Sequence, residues 1–386
     1  NLLFLGTELG LYITVDGGSS WSHFTNNMPP VAVHFIDLQK RTSDLVMGTH
    51  GRGVIIIDDI SPLREISNDI LQKEVHFFDN NSITMKEESG FSGSFGGETQ
   101  FVGANKPSSA RIVYYLKKRH TFGKMKMEIQ DMDGNLITEI SPGKSKGINV
   151  VYWDFNKKAP KMAEGKTMSF GGFTAPRVSA GTYKVVLQKG KKTYEHTIDL
   201  NYDDSALTTL AKRKEQEKMT KTLFDMVEEL AFMVYEINEI QNKAANVMKV
   251  ERNTLNEMVS LQLKKKLSKD EKSTLKAYEK KFNKHKKALN AFVALEKLRK
   301  DMVITTGDNY VASAEPELRE KMSELYSNVA SNYDEVSGSY MQNYELISDE
   351  FEEAKSRLQS IKENEVEDFM NYLEKNQLDI PSLKSK

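Results

Sequence analysis

Glu8, His50, Arg52, Asp58 and Asp59 are side chains of the types that sugar chemistry uses. Glycoside hydrolysis needs two carboxyl groups facing one bond, about 5–5.5 Å apart for retention or about 6.5–9.5 Å apart for inversion. Asp58 and Asp59 are adjacent, so on a strand they point to opposite faces and cannot form that pair together. Glu8 could meet one of them only across two neighbouring sheets. No catalytic residue is assigned, and Glu8 and Asp58 are the candidates that remain. His50 and Arg52 flank Gly51 in a tight loop between two apolar strands, where a guanidinium could hold a carboxylate or a sugar acid. The structural account of the same loop has Arg52 bonding loop carbonyls while Gly51 and Gly53 permit the turn. His50 and Arg52 are the candidate ligand-binding residues. Sialidase-type chemistry wants three converging arginines and a tyrosine nucleophile, most of which would have to come from elsewhere than these residues.

The turns that carry these residues have a more specific pattern than the residues themselves. Thr14-Val15-Asp16-Gly17-Gly18-Ser19-Ser20-Trp21 reads as the Ser/Thr-x-Asp-x-Gly-x-Ser/Thr-Trp hairpin known as an Asp-box. Asp and Ser side chains close such a turn on local backbone N–H groups, and Gly supplies the φ values that other residues resist. Trp21 is expected to fold back onto the sheet as an apolar plug. Thr14, Asp16, Gly18, Ser20 and Trp21 form a structural set, in which Asp16 closes the hairpin and does no catalysis.

The strands repeat. Leu3-Phe4-Leu5-Gly6-Thr7 returns as Leu45-Val46-Met47-Gly48-Thr49 at an offset of 42, and Gly10-Leu11-Tyr12-Ile13 returns as Gly53-Val54-Ile55-Ile56 at 43. That period suits the blades of a β-propeller. A ring takes on the order of 4–8 blades, and residues 1–66 supply about one and a half. The expectation is a partial propeller, the last one to two blades of a longer protein whose other blades, and any signal peptide, lie upstream.

Residues 67–203 stay strand-like but lose the blade pattern. Strands are expected at 111–116, 125–130, 136–140, 148–155, 181–188 and 192–200, separated by turn signals such as Asp133-Gly134-Asn135 and Lys189-Gly190-Lys191. Short strands at this spacing suit an Ig-like β-sandwich, with Trp153 in its core. The stretch 90–97 and the segment 157–176 read as long loops over that sandwich. Gly93-Ser94-Phe95-Gly96-Gly97 has no Lys-Ser/Thr after it and no strand-to-helix junction around it, so it is no phosphate cradle.

From residue 204 the period becomes helical. Leu223, Met226, Leu230, Met233, Ile237, Ile240, Ala244 and Val247 alternate spacings of three and four. A helix from Ser205 to about Lys249 would be ~65 Å long. Leu275, Tyr278, Phe282, His285, Leu289 and Phe292 repeat the spacing, as do Leu318, Met322, Leu325, Val329 and Val336, with an irregular step at Tyr333. A last helix runs through Tyr340, Tyr344, Ile347, Phe351, Ala354, Leu358 and Ile361, and Ser337-Gly338-Ser339 breaks the chain before it. The expectation is an antiparallel helical bundle.

Composition narrows the partners. With 54 basic and 55 acidic residues the net charge is −1, which gives no footprint for nucleic acid. No apolar run approaches the ~20 residues of a membrane span. Without cysteine the chain has no disulfide, thiolate zinc site or cysteine nucleophile. No Glu-x-x-His pair occurs on the helices, so a di-iron bundle is not supported, and no metal or cofactor is expected. His285 reads as a packed, hydrogen-bonded edge residue. Tyr310 and Tyr333 could meet sugar faces, and the lysines at 264–287 are interleaved with acids as a solvated helix face.

Gly6-Thr7-Glu8-Leu9-Gly10-Leu11-Tyr12, residues 32–37, Thr49-His50-Gly51-Arg52-Gly53 and Asp58-Asp59-Ile60 resemble the end of a sortilin-like, BNR (Asp-box) repeat propeller protein. Bacterial members of that kind often carry a glycosyl-hydrolase label. Ala180-Gly181-Thr182-Tyr183-Lys184-Val185 is similar to a strand of the Ig-like domain of flagellar hook-capping proteins. The resemblance covers about half the chain and implies a secreted or cell-envelope location in a bacterium. A glycosidase label that rests on a shared fold does not establish activity. The expected organisation is a multidomain mixture: a partial Asp-box propeller at 1–66, an Ig-like sandwich at 67–203 and a long-helix bundle at 204–386. Its expected role is non-catalytic binding or scaffolding toward a protein or glycan. The alternative is a glycoside hydrolase whose active site lies mainly in upstream blades.

Overall fold

A computed structural model describes residues 1–79, 82–86, 108–204, 208–305 and 315–376. The glycine-rich stretch 90–97 and Tyr310 lie outside these. The chain divides into two compact units, 1–156 with 178–204, and 157–177 with 205–386. It is a mixed α/β protein with several small sheets and a helical C-terminal region, and no sheet among the described residues closes into a barrel.

The first unit opens with two antiparallel three-stranded sheets. β1 (Leu3–Thr7), β2 (Gly10–Thr14) and β3 (Ser22–His23) form one. β4 (Val33–Gln39), β5 (Asp44–Thr49) and β6 (Val54–Ile57) form the other. Side chains alternate across a strand, so register decides which residues share a face. Leu5 opposite Tyr12 and Gly6 opposite Leu11 put Phe4, Gly6, Leu11 and Ile13 on one face and Leu3, Leu5 and Tyr12 on the other. In the second sheet Leu45, Met47, Ile55 and Ile57 share one face, and Val46, Gly48, Val54 and Ile56 the other. The core between the sheets is built from Leu11, Val33, Leu45, Met47 and Ile60. Gly6 permits this approach, because a Cβ there would stand 2.5 Å from the Val33 carbonyl oxygen.

Equivalent positions of the repeat therefore have opposite surroundings. Leu45 and Met47 are 1% and 0% exposed, whereas their counterparts Leu3 and Leu5 are 48% and 49% exposed. On the other face Leu11 is fully buried and its counterpart Val54 is 66% exposed. The second face of one sheet sits on the first face of the next, and one face of each kind is left uncovered.

Two short helices, α1 (Ser61–Glu65) and α2 (Asn68–Gln72), lead to a second pair of sheets. The strands are β7 (Val75–Phe77), β8 (Ile83–Met85), β9 (Ala110–Leu116), β10 (Met125–Gln130), β11 (Leu136–Ile140), β12 (Gly147–Trp153), β13 (Gly181–Lys189) and β14 (Lys192–Tyr202). Their orders are β11-β10-β13-β14-β8 and β12-β9-β7. All six strands expected from sequence in this stretch are present, with ends within two residues of the reading. Ile112, Tyr114 and Leu116 from one sheet meet Met127, Ile129, Val185 and Leu187 from the other in a single core that includes Trp153. Glu74 fastens the β13–β14 hairpin through Lys189 and Lys192, each at 2.6 Å. Those hydrogen bonds hold its carboxyl down to about 2.

Two histidines lie near the same edge. Phe77 stacks on His196 with ring centroids 5.3 Å apart, and His76 meets Phe78 edge-on. Neither Nε2 has a hydrogen-bond partner among the described residues, although Glu65 is 3.7 Å from that of His76. Burial pushes both imidazoles below the ordinary value of 6.5; Lys73 adds to the effect on His76, and Asp79 opposes it at both. Because the folded unit holds them neutral while the unfolded chain protonates near 6.5, their contribution is complete above that pH and is lost as pH falls through it. The melting temperature is expected to drop between pH 7 and pH 5, and a His76→Asn, His196→Asn double variant to lose most of that dependence. Equal slopes for the two proteins in thermal melts across this range would contradict the assignment.

The second unit is helical. α3 (Leu210–Met248) runs 39 residues, about 58 Å at 1.5 Å per residue. All eight seam positions expected on it, from Leu223 to Val247, are buried. The Thr209 hydroxyl accepts the Lys212 N–H at its start, and Lys249 in a left-handed conformation (φ 52°) ends it. α4 (Arg252–Leu263) and α5 (Lys269–Phe282) follow, the latter opened by a capping box between Ser268 and Glu271. The next expected seam, Leu275 to Phe292, is not one helix. A single 3₁₀ turn at Asn283–His285 separates α5 from α6 (Lys286–Met302). The seam positions still face one core: Phe282 and Phe292 are buried, Leu275, Tyr278 and Leu289 pack against them partly buried, and α6 also buries Ala288, Ala291, Leu295 and Leu298. α7 (Leu318–Ser331) and α8 (Gly338–Ile361) are joined across the expected breaker, whose Ser337 caps α8. A π turn at Lys362–Val366 carries α8 into α9 (Glu367–Lys375).

One segment differs from its expected place. Residues 157–176 were expected to lie over the sandwich, but 157–177 belong to the helical unit. Ala163 is part of the helical core, and Lys166 donates its N–H to the Ile304 carbonyl at 2.9 Å.

Candidate functional site

The Asp-box closes as its residue types require. Thr14 Oγ1 donates to Asp16 Oδ1 at 2.6 Å and accepts the Gly18 N–H at 3.0 Å. Ser20 donates its hydroxyl to Asp16 Oδ2 at 2.6 Å and its N–H to Oδ1 at 3.0 Å. Those bonds, led by the Ser20 and Thr14 hydroxyls, hold the Asp16 carboxyl far below the usual carboxylate range. A carboxylate so fully occupied is a structural acceptor. Trp21 is a correction to the expected plug. Its indole lies over Gly18 beside Leu3 and stays 41% exposed, because the face that carries Leu3 and Leu5 is uncovered.

At one end of the paired sheets the two repeat turns are built alike. The Thr7 hydroxyl donates to the Gly10 carbonyl at 3.0 Å, and the Thr49 hydroxyl donates to the Gly53 carbonyl at 2.7 Å. Gly10, Gly51 and Gly53 take positive φ values there. Glu8 in the first turn reaches His34 of β4, with Oε1 and Nε2 3.1 Å apart. The His34 ring lies 5.5 Å from that of His50 in the second turn, and His50 donates its N–H to the Ala32 carbonyl. Glu8 and His50, both singled out from sequence, thus come together through His34, which sequence reasoning missed. The signal available was the strand Val33-His34-Phe35, which sets a histidine opposite two apolar neighbours. Arg52 stands exposed in the same turn.

Asp58 and Asp59 are elsewhere. β6 separates them from that turn, five residues or about 16 Å of extended chain at ~3.3 Å per residue. Asp59 takes φ 45° and forms a corner. Its N–H donates to Asp44 Oδ1 at 2.9 Å, and its Oδ2 accepts from the Arg111 guanidinium at 2.5 Å. Glu8 and Asp58 do not flank a common space of the size glycoside hydrolysis needs. The side chains of Glu8 and His34 are 82% and 52% exposed, so water reaches the cluster freely. This arrangement suits hydrogen bonding to a polar ligand at a rim, and it lacks the dry, preorganised setting of acid–base catalysis.

The remaining aromatic and histidine candidates are occupied. Tyr333 lies between Arg177 and Arg213, whose guanidinium carbons are 4.3 and 4.6 Å from the ring centroid. His285 Nδ1 is 3.2 Å from the Tyr372 hydroxyl. Trp153 is buried and donates its indole N–H to the Asn156 carbonyl. Among the described residues no helix is long and apolar enough to cross a membrane, and no group of three or more metal-capable side chains occurs. No family model, curated protein or solved structure matches the chain.

Proposed function

We propose that this chain is the binding and scaffolding C-terminal part of an exported bacterial propeller protein of the sortilin-like, Asp-box repeat type. Its role is recognition of a protein or glycan without turnover. The observation that carries this reading is the head-to-tail stacking of two sheets of one repeat beside a closed Asp-box hairpin. Aligned on the repeat, β1 corresponds to β5 and β2 to β6. Among the described residues β1 thus lacks the neighbour that β4 is to β5, and β6 lacks the neighbour that β3 is to β2. Uncovered faces and missing edge strands on opposite sides are what two neighbouring blades leave where the rest of a ring adjoins them. In this reading the other blades belong to polypeptide outside residues 1–386. The sheets around Trp153 serve as an Ig-like brace, and the helices as an arm that docks a partner. A secreted or cell-envelope location follows from the resemblance alone.

The rim formed by Glu8, His34, His50 and Arg52 is the ligand-facing part of this proposal. Glycan binding and hydrolysis are to be measured in parallel for the chain and for Glu8→Gln and Arg52→Ala. The expected result is binding without turnover, weakened about tenfold by loss of the guanidinium. Turnover that disappears in Glu8→Gln with folding intact would instead establish the hydrolase.

A further inference from the structure

The excursion 157–177 between β12 and β13 is pinned at its base. Lys157 donates its N–H to the Pro176 carbonyl at 2.8 Å, which brings the two ends of the segment together. Apart from one 3₁₀ turn at Phe170–Phe173 it has no helix or strand of its own, and several of its polar groups bond to the helices, among them the Lys161 N–H to Glu228 and the Thr167 hydroxyl to Glu320.

The contacts advance in step with α7. The buried Arg319 donates Nε to the Ala163 carbonyl at 2.7 Å and both terminal nitrogens to the Thr167 carbonyl at 3.2 Å. One turn further along, Ser323 Oγ accepts the Gly171 N–H at 2.8 Å and meets the Ser169 hydroxyl. A turn beyond that, Tyr326 donates its hydroxyl to the Thr174 carbonyl at 2.8 Å. The segment and the helix thus run parallel. Backbone carbonyls and an N–H of the segment are read by side chains spaced three or four apart on one helix face. A Cβ on Gly171 would stand 2.6 Å from Ser323 Oγ and 3.2 Å from its Cα, so glycine is required for this approach. Main-chain hydrogen bonds for affinity and close-fitting positions for specificity are how peptides are recognised by folded receptors.

We infer that residues 157–177 bind the helical unit as a peptide ligand binds a receptor. The interaction is strong enough to hold fragment 1–204 to fragment 208–386 when the backbone between them is cut. This rests on the α7 contacts alone and is independent of the propeller reading. In the test, a site-specific protease sequence is placed between Asp204 and Thr208 of the full chain, and the folded protein is cleaved and run on size exclusion without denaturant. The two fragments are expected to co-elute, and a large excess of free 157–177 peptide to release fragment 1–204. Gly171→Val, checked for folding before cleavage, is expected to weaken the association about tenfold or more, as overpacking of a filled contact does. Fragments that separate unaided would overturn the inference. So would fragments that stay together despite excess peptide, since other contacts would then be holding them.

Discussion

Glu296→Ala is expected to destabilise the helical unit by about 3–5 kcal/mol, the cost of removing one partner from a buried ionic network. Glu296 is fully buried on α6, and its carboxylate accepts from Gln241 Nε2 at 2.9 Å and from Arg299 Nε and a terminal nitrogen at 2.8 and 2.9 Å. Gln241, itself fully buried, accepts from Arg252 at 2.7 Å, and Arg252 also reaches Asn238. Burial, with Arg299 adding to it, lowers the pKa of the Arg252 guanidinium from its ordinary value, and the Glu296 and Glu164 carboxylates oppose the shift. The alanine variant would leave two guanidinium groups and an amide facing each other across a low-dielectric core. Replacing the set by apolar residues of similar volume removes the demand for pairing as well as the pair. Accordingly Gln241→Leu, Arg252→Met, Glu296→Leu and Arg299→Met together should recover most of the loss. Urea denaturation followed by circular dichroism measures both. A cost below about 1 kcal/mol for Glu296→Ala would mean that water reaches the network and screens it.

This network also marks where the sequence is hard to read. The α3 seam was legible because each position from Leu223 to Val247 is apolar and faces the core, so spacing and burial coincide. Glu296 has helical spacing too, between Phe292 and Arg299, but a charged residue in a helix normally signals solvent, and only the partners from α3 and α4 reverse that. The seam through His285 was legible in its packing, since Phe282 and Phe292 are buried and Leu275, Tyr278 and Leu289 pack against the same core; what the spacing did not show is the 3₁₀ turn that divides it into two helices. α4 was not anticipated, since Leu255, Met258 and Val259 are too few to establish a period. The Asp-box was legible because its bonds are local, between residues at most four apart. The segment 157–177 was not, because Thr167 and Arg319 are separated by 152 residues. His34 escaped for the same reason, being 26 residues from Glu8.

Leu45→Ala and Leu3→Ala are the same substitution at equivalent positions of one repeat, and they are expected to differ severalfold in cost. Leu45 is 1% exposed between the two sheets, so its loss should take about 2–5 kcal/mol through lost transfer energy and the cavity left behind. Leu3 is 48% exposed, and truncating it in residues 1–386 should cost under about 1 kcal/mol. Sequence cannot separate the two, because they are identical residues in matching strands; what distinguishes them is whether a neighbouring sheet is present. That makes the pair a reporter on the blade proposal. In a longer polypeptide that supplies a preceding blade, the face carrying Leu3 and Leu5 would be covered as the face carrying Leu45 and Met47 is, and the cost of Leu3→Ala should rise to that of Leu45→Ala. Chemical denaturation of both variants in both lengths of chain measures this. If Leu3→Ala stays cheap in the longer polypeptide, that face is not a blade interface and the propeller reading fails. If Leu3→Ala is already costly in residues 1–386 and becomes cheap on dilution, a second copy covers the face, and the uncovered sheet surfaces serve self-association.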